Sequence, residues 1–407
     1  MKEFNVPEFY RSPIISQIKL YRKLQDPRKK DNSPTLLDFG PVQFLIARHF
    51  GFCFGVENAI EISFKALDEN PDKRIFLLSE MIHNPDVNND LTDRGVQFLQ
   101  DTNGKQLISF DTLTPDDVVI IPAFGAPLDI IEILEKKQIK TEAYNTTCPF
   151  VERVWKKSET IGKDNYTIII HGKANHEETR ATFSRSDKHS QAIIVKDMEE
   201  SELLADYILG KKSKEQFKID FKDKYSENLD FEKDLQRVGV INQTTMLASE
   251  TQAIADYFKN IMIEKYGINQ INNHFADTRD TLCYATNENQ DATYGLLNAE
   301  ADLAIVIGGY NSSNTSHLAE LCERKFKTYY ISSEKEIINS NTINHFDYHN
   351  KLHLTSTTFL PNKTPLRIIL TSGASCPDSV IEGVIRKINS YFKNTKSVEE
   401  ALKQLSN

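Results

Sequence analysis

The chain has 407 residues, of which 39% are hydrophobic and 26% are charged, a balance typical of a globular protein with a substantial core. This length exceeds what one hydrophobic core supports, so we expect two or three domains. The formal net charge of −9 disfavours nonspecific electrostatic binding of nucleic acid. No apolar run approaches the roughly 18 residues that a membrane span needs, and the N-terminal sequence lacks a secretory signal. We therefore predict a cytoplasmic protein that binds neither nucleic acid nor membrane.

Residues 1–42 are rich in charged and turn-forming residues, which predicts an extension packed onto a core that begins near Val42. From there the sequence repeats a short apolar run, a polar loop and a segment with helical spacing. The runs with their loops are residues 118–127, 167–178, 238–245, 303–317 and 367–378. Two polar stretches, residues 204–237 and 330–362, predict surface insertions. The alternation indicates an α/β fold with mainly parallel sheets. Because the strands of such a sheet run in the same direction, the loops at their carboxyl ends should lie in one region.

Two of these loops are dense in hydrogen-bond donors. The run from Asn311 to Ser316 consists of amides and hydroxyls, and Ser375 lies where a helix is predicted to begin. Each such residue could simply cap a helix. Several together at helix N-termini favour a phosphate-type ligand. Because the sequence has neither G-x-G-x-x-G nor a complete Walker A motif, a small phosphate or diphosphate compound is favoured over a nucleotide.

The sequence HEET begins like a zinc peptidase motif, but Arg180 stands where the second histidine would be. His176 and Glu178 nevertheless lie in a predicted strand-end loop. A carboxyl group shielded from water there, beside a histidine, could be kept protonated and act as an acid. The alternative is a glutamate that only interacts with the positive end of a helix dipole.

Five cysteines, an odd number without an export signal, argue against a disulfide framework. Cys322 lies in a predicted helix, where a buried apolar role is expected. The remaining alternatives are a catalytic thiolate with a histidine partner and an iron-sulfur cluster, although C-x-x-C spacing is absent. Cys53, Cys148 and Cys283 each stand near the opening of an α/β block, as if one unit occurred three times.

Nine motifs in order, over about residues 43 to 390, resemble the 4-hydroxy-3-methylbut-2-enyl diphosphate reductase (IspH/LytB) family. They are GFCFGV, IHNPDVN, PAFGAP, TTCPFV, HGKANHEET, NQTT, LCYATNENQ, GGYNSSNTSHL and TSGASCPD. The phenylalanine in PAFG, the sequence HGKANHEET and the N-terminal extension resemble the plant and cyanobacterial subgroup. The resemblance implies reductive dehydroxylation of (E)-4-hydroxy-3-methylbut-2-enyl diphosphate. The products would be isopentenyl and dimethylallyl diphosphates, formed in the last step of the methylerythritol phosphate route to isoprenoids.

The family fold implies three pseudo-symmetric α/β domains in a trefoil-like arrangement around a central cluster. The implied divisions are an N-terminal extension (1–42), three domains (43–147, 148–270 and 271–390) and a tail (391–407). The C-terminal part of the third domain would return to the first. Each domain would supply one cysteine.

The resemblance also assigns roles to individual residues. One 4Fe-4S cluster per subunit would be held by Cys53, Cys148 and Cys283, which leaves one iron without a protein ligand. Glu178 would protonate the departing hydroxyl, with Glu177 as the neighbouring alternative. The substrate contacts implied by motif are His83, His176, Thr244, Thr245, Ser312, Ser313, Asn314 and Ser375. The two threonines would lie near the hydroxyl and the other six at the diphosphate.

Three positions depart from the family pattern. Phe124 replaces a histidine of the widespread bacterial form, so one diphosphate donor is lost. Asn289 replaces a usual arginine, and Cys376 replaces a threonine or alanine and is expected to be a bystander. The family's electron donor is ferredoxin or flavodoxin, both acidic, so a local basic docking surface is expected. The rival hypothesis is a hydrolase or isomerase of a phosphate compound that uses His176 and Glu178 as acid and base.

Overall fold

The computed structural model describes residues 4–276, 278 and 281–405. In that part of the chain, short strands alternate with helices over most of the length. The strands are β1 (Thr35–Asp38), β2 (Val42–Ile46), β3 (Ile75–Leu77), β4 (Gln97–Phe98), β5 (Val118–Ile120), β6 (Thr167–His171), β7 (Ala192–Val195), β8 (Val238–Asn242), β9 (Phe275–Ala276), β10 (Leu303–Ile307), β11 (Thr328–Ile331), β12 (Ile343–Asp347), β13 (Leu352–Ser356) and β14 (Leu366–Ser372).

Helices follow most of the strands, as the sequence pattern predicts. They are α1 (Pro13–Gln25), α2 (Phe54–Glu69), α3 (Pro85–Asp93), α4 (Leu128–Lys136), α5 (Pro149–Lys163), α6 (Glu177–Asp187), α7 (Met198–Ile208), α8 (Lys214–Asp220), α9 (Phe231–Asp234), α10 (Ala248–Tyr266), α11 (Ile271–His274), α12 (Tyr284–Leu297), α13 (Ser313–Glu323), α14 (Asp378–Asn389) and α15 (Val398–Lys403). Among the residues described, no helix is both long and apolar enough to cross a membrane.

The first of two units is built on a five-stranded sheet. It comprises the chain up to Glu57, Ile82–Asn89 and the chain from Tyr284 onward. The strand order is β1-β2-β14-β10-β11, in which β1 and β2 are antiparallel and all other neighbours are parallel. Every residue of β10 is buried, as expected for a parallel strand covered on both faces.

The N-terminal extension contributes to the core of this unit. Ser12 caps α1 by accepting a hydrogen bond from the Ile15 backbone N–H at 3.0 Å, and a proline follows at the first helical position. Ile14, Ile15 and Ile18 of α1 are buried in the same apolar cluster as the sheet. Because β1 also adds an edge strand, the extension takes part in the five-stranded sheet as well as packing onto its core, and the boundary at residue 42 stays a prediction.

The second unit comprises Asn58–Met81 and Asp90–Cys283 and contains two parallel sheets. Their strand orders are β4-β3-β5 and β7-β6-β8-β9, and each neighbouring pair is parallel. All residues of β6 and β8 are buried. The predicted α/β fold with mainly parallel sheets is therefore confirmed. The division into three pseudo-symmetric domains stays a prediction.

The two predicted surface insertions differ from each other. Within residues 330–362, β12 and β13 form an antiparallel hairpin, and most of β13 is exposed. Within residues 204–237, the prediction was wrong, because Phe217, Phe221 and neighbouring apolar residues are buried in the core of the second unit. The Phe217 ring contacts several other rings, the nearest at a centroid distance of 4.4 Å. Because many polar residues separate these aromatic residues in the sequence, the stretch as a whole looks polar and its buried positions are not evident.

Replacing Phe217 by alanine should lower the free energy of unfolding by about 3–5 kcal/mol, because a fully buried ring leaves a cavity. Ile219→Ala is the matched control, since this side chain lies in the same helix and is 69% exposed. It should change the free energy by less than about 0.5 kcal/mol. Urea denaturation followed by circular dichroism measures both. Equal effects of the two substitutions would contradict the core position of Phe217.

Candidate functional site

The candidate site residues lie mainly in loops at the carboxyl ends of parallel strands. In the first unit, β10 and β14 are parallel neighbours, so their following loops leave the same sheet edge. In the second unit, β6 and β8 are arranged in the same way. The first-unit cluster consists of Cys53, His83, Ser312, Ser313, Asn314 and Ser375. The second-unit cluster consists of Phe124, Cys148, His176, Glu178, Thr244, Thr245 and Cys283.

Ser312 performs the capping role that its sequence position allowed. It is the N-cap of α13, and its hydroxyl oxygen accepts hydrogen bonds from the Thr315 backbone N–H at 3.2 Å and the Thr315 hydroxyl at 2.9 Å. Ser313 and Asn314 follow in the first turn, and both are buried. Capping and anion binding are compatible, because the other backbone N–H groups of the first turn also point out of the helix N-terminus and can donate to an anion.

Asn314 presents a buried amide donor. Its Oδ1 atom accepts hydrogen bonds from the Ala374 backbone N–H at 3.0 Å and from Asn289 Nδ2 at 3.3 Å, which fixes the orientation of the amide. The Nδ2 atom has no hydrogen-bond partner among the described residues. An unsatisfied buried donor is costly, so this position favours an acceptor brought by a ligand.

The first-unit cluster is assembled around the backbone of two loops. The Ser375 hydroxyl donates to the His83 carbonyl oxygen at 3.0 Å, and the Cys53 backbone N–H donates to the Ala374 carbonyl oxygen at 3.1 Å. A Cβ atom added at Gly309 would collide with the His83 carbonyl. This close approach requires glycine. Cys53, His83 and Ser375 are thereby connected through main-chain contacts.

Aromatic residues of the N-terminal extension flank the loop that carries Cys53. Phe4 packs edge-on against Phe54, with ring centroids 4.9 Å apart. Tyr10 packs in the same manner against Phe52 at 5.9 Å. Such edge-to-face pairs are favourable beyond the area that they bury. The extension therefore holds both neighbours of Cys53 in place.

Glu178 is the central carboxyl group of the second-unit cluster. It is only 1% exposed. Its Oε1 atom accepts from the Thr244 backbone N–H at 2.5 Å, and its Oε2 atom accepts from the Thr244 hydroxyl at 2.9 Å. The Thr244 carbonyl oxygen in turn accepts from the Cys283 backbone N–H at 3.3 Å. One residue of the loop after β8 thus connects the acid to a cysteine.

The neighbouring Glu177 has a different environment. Burial lowers the pKa of Arg180, and the nearby Glu177 opposes that shift. Arg180 also donates to the Thr102 carbonyl oxygen at 3.0 Å. Glu177 therefore interacts electrostatically with an arginine, whereas both carboxyl oxygens of Glu178 accept hydrogen bonds from Thr244. This difference favours Glu178 over Glu177 as the acid.

Cys148 is the N-cap residue of α5, and its backbone N–H donates to the Ala123 carbonyl oxygen at 2.9 Å. Burial raises the pKa of the Cys148 thiol to about 11, and negative charge on Cys283 and Glu178 adds to the rise. The three groups are therefore close enough to interact electrostatically. A positive charge placed among them would have the opposite effect on the thiol.

His176 is the N-cap residue of α6, and its Nδ1 atom accepts a hydrogen bond from the Glu178 backbone N–H at 3.2 Å. The neutral ring then carries its proton on Nε2, which makes that atom a donor. The Phe124 ring lies edge-on to the imidazole at a centroid distance of 5.4 Å. Phe124 supplies no hydrogen bond in place of the missing histidine, but it orients His176.

Gln243 supports the second-unit cluster, and the sequence interpretation missed it. This fully buried amide donates from Nε2 to the Thr245 hydroxyl at 2.7 Å. Its Oε1 atom accepts from the Thr179 hydroxyl at 3.1 Å and from the Lys173 backbone N–H at 3.2 Å. Gln243 therefore ties the loop after β8 to the loop after β6. Its place in the NQTT motif, directly beside the two selected threonines, was the available signal.

All five cysteines are free of disulfides, as predicted. Cys322 and Cys376 are fully buried in the apolar core of the first unit. Burial raises the pKa of Cys322 to about 12, and it also raises the pKa of Cys376. These two thiols are therefore inert core residues, whereas Cys53, Cys148 and Cys283 are partly accessible.

Known proteins are similar to this chain over most of its length. A protein from Picosynechococcus sp. named 4-hydroxy-3-methylbut-2-enyl diphosphate reductase is 41% identical over 380 residues, covering 93% of this chain and 89% of the relative. A protein of the same name from Trichodesmium erythraeum is 39% identical over 380 residues, with the same two coverages of 93% and 89%. The solved structure of the E-1-hydroxy-2-methyl-but-2-enyl-4-diphosphate reductase from Plasmodium falciparum is 20% identical. It shares the fold with a TM-score of 0.62 and covers 90% of this chain and 98% of that one.

The sequence also matches the family described as LytB protein over residues 44–389, a range that contains every member of both clusters. The two sequence relatives come from cyanobacteria, in agreement with the subgroup that the motifs resemble. Together the match over most of the chain and the relatives near its full length establish the family: this chain belongs to the LytB protein family.

Proposed function

We propose that this chain is an iron-sulfur oxidoreductase that converts (E)-4-hydroxy-3-methylbut-2-enyl diphosphate into isopentenyl and dimethylallyl diphosphates. The allylic carbon–oxygen bond breaks, two electrons and two protons are taken up, and water leaves as one carbon–hydrogen bond forms. The names of the relatives describe this reductase. The observation that carries the proposal is the buried Glu178 carboxyl, held by Thr244 and close to Cys148 and Cys283.

The cysteines fit a 4Fe-4S cluster with three thiolate ligands. Cys53, Cys148 and Cys283 each directly precede the first residue of a helix, namely α2, α5 and α12. The positive end of a helix dipole opposes the burial that raises the pKa of Cys148, and positive metal charge would favour the thiolate further. When bound, the cluster would supply electrons and one Lewis-acidic iron without a protein ligand. In this proposal the three pseudo-symmetric α/β domains each contribute one of the thiolates.

Glu178 would deliver the proton that lets the hydroxyl leave as water. Thr244 positions both oxygens of Glu178, and the transferred proton would be carried on a remaining lone pair of one of them. Thr244 and Thr245 would lie near the substrate hydroxyl. Gln243 holds the Thr245 side chain in a single orientation. Gln243 and Thr244 are buried, which limits access of water to the Glu178 carboxyl.

The diphosphate would be bound by neutral donors and helix N-termini. The proposed contacts are His83, His176, Ser312, Ser313, Asn314 and Ser375, all of which are buried. The Asn314 Nδ2 donor supports this assignment, as does the Nε2 proton of His176. Phosphate binding at a helix N-terminus needs no lysine or arginine, because the N–H groups of the first turn are donors already aimed at the anion.

A ferredoxin or flavodoxin would supply the electrons. Both are acidic proteins that transfer one electron at a time, so two encounters are needed for each substrate molecule. The net charge of this chain is itself negative, and a productive encounter therefore requires a local positive surface.

Cys53→Ser, Cys148→Ser and Cys283→Ser should each remove most of the bound iron from anaerobically prepared protein, because a hydroxyl is a poor ligand in place of a thiolate. Cys322→Ala is the control, since that thiol is buried in the core near the C-terminal end of α13. It should retain its iron. Colorimetric iron assay and the visible absorbance measure the result. Equal iron content in all four variants would refute the ligand assignment.

Glu178→Gln should lower kcat by about 10²-fold or more, because the amide cannot donate a proton to the leaving hydroxyl. Reduced methyl viologen serves as electron donor, and mass spectrometry measures both diphosphate products. Glu177→Gln is the matched control, since Glu177 is the neighbouring carboxyl group and interacts electrostatically with Arg180, and it should retain most of the activity. If Glu178→Gln turned over at the wild-type rate, the proton donor would lie elsewhere. Absence of either product with the wild-type enzyme would refute the proposed reaction.

In protein stripped of iron, alkylation of Cys148 should keep accelerating up to about pH 11, where its thiol titrates. Only the thiolate reacts, and the raised pKa means that little thiolate is present at neutral pH. Iodoacetamide labelling followed by peptide mass spectrometry measures the rate at each pH. A plateau near the ordinary cysteine pKa of 9.0 would contradict the buried, negatively surrounded thiol.

A further inference from the structure

The exposed side of α5 and the end of α6 form a basic face on an acidic protein. We define this basic face as residues 149–163 and 185–189, which carry six Lys or Arg side chains against three carboxylates. Arg153, Lys156 and Lys188 are exposed there. The whole chain has a net charge of −9. A local positive excess on a negative chain attracts an acidic partner to one place.

Two of the carboxylates on the basic face have cationic neighbours. Glu159 pairs with Lys163, with a nitrogen–oxygen distance of 2.7 Å. Burial lowers the pKa of Arg185, and the nearby Glu152 opposes that shift. With Lys163 and Arg185 balanced in this way, the other cations of the basic face are Arg153, Lys156, Lys157 and Lys188, against the exposed Asp187. The charge that remains for a partner is therefore positive.

A cleft of about 480 Å³ opens on the basic face, and the single tryptophan of the chain lines it. The Arg185 guanidinium stacks over the Trp155 ring at 3.8 Å from its centroid. Trp155 Nε1 donates to the Thr182 hydroxyl at 3.0 Å. The indole is thus fixed on one side by a cation and on its edge by a hydrogen bond.

The other side of the indole reaches the loop that holds Cys148. A Cβ atom at Gly125, which has a φ of +80°, would collide with the Trp155 ring. Two residues earlier in that loop, the Ala123 carbonyl accepts from the Cys148 N–H at 2.9 Å. Along α5, Trp155 follows Cys148 by two turns, about 10 Å of helix axis. A delocalised ring therefore connects the basic face to the surroundings of a proposed iron ligand.

We propose that an acidic one-electron carrier protein docks on the basic face and that its electrons enter on the Trp155 side of Cys148. This proposal rests on the proposed reductase function. Two reduced carriers each lose one electron per turnover. Those two electrons and two protons break the carbon–oxygen bond of the substrate, form one carbon–hydrogen bond and release water. Redox encounters bury small interfaces, below about 1,200 Å², so a few lysines control the rate of association.

The test is a double charge reversal, Lys156→Glu with Lys188→Glu, in anaerobically prepared holoenzyme. With a purified plant-type ferredoxin at low salt, kcat/KM for the carrier should fall about tenfold or more, because electrostatic steering is reversed. With reduced methyl viologen, which needs no docking surface, the rate should not change. The matched control is Lys218→Glu with Lys222→Glu, the same charge change at exposed positions off the basic face. It should leave both rates unchanged.

Several outcomes would overturn the docking proposal. One is an unchanged ferredoxin rate in the Lys156/Lys188 variant, and another is an equal loss in the control variant. A loss of the viologen rate as well would mean that these lysines only support the fold. Added salt should slow the wild-type reaction with ferredoxin more than that of the variant. Wild-type activity with viologen separates the two hypotheses, because its absence would refute the proposed function rather than the docking surface.

Discussion

Thr244 uses three of its polar groups to connect the acid, Glu178, to the backbone of Cys283. Its N–H and hydroxyl fix the two oxygens of Glu178, and its carbonyl fixes the backbone of Cys283. This geometry follows from the sheet, because β6 and β8 are parallel neighbours that send their loops to the same edge. Gln243 then locks the two loops together. A change in the pairing of β6 with β8 would move the acid and the cysteine apart.

The five thiols are distinguished by their local structure rather than by their chemistry. Three directly precede the first residue of a helix and remain partly accessible, whereas Cys322 and Cys376 are buried in the core of the first unit. Burial raises the pKa of Cys148 as well as that of Cys322, so accessibility at the start of a helix, rather than a lowered pKa, separates the two groups of thiols. The protein can therefore carry two core thiols that take no part in a metal site.

Much of the fold and of the candidate site is predictable from local sequence. Continuous apolar runs predict buried parallel strands, and the donor-rich loops after them predict where the candidate site residues lie. The orientation of Asn314 by Asn289 and the bracing by Gln243 are not predictable in this way. Each depends on a partner far along the chain, such as Thr179, which is 64 residues from Gln243. The same applies to the N-terminal extension, because its apolar side chains pack against strands that are distant in sequence.

The central claim is that three cysteines distant in sequence share one iron-sulfur centre beside a buried acid. Anomalous diffraction at the iron absorption edge, from crystals of anaerobically prepared protein, tests it most directly. The account predicts one compact iron peak within bonding distance of the sulfur atoms of Cys53, Cys148 and Cys283, with the Glu178 carboxyl nearby. Iron bound to Cys322 or Cys376, or iron that contacts fewer than three of the proposed ligands, would contradict it.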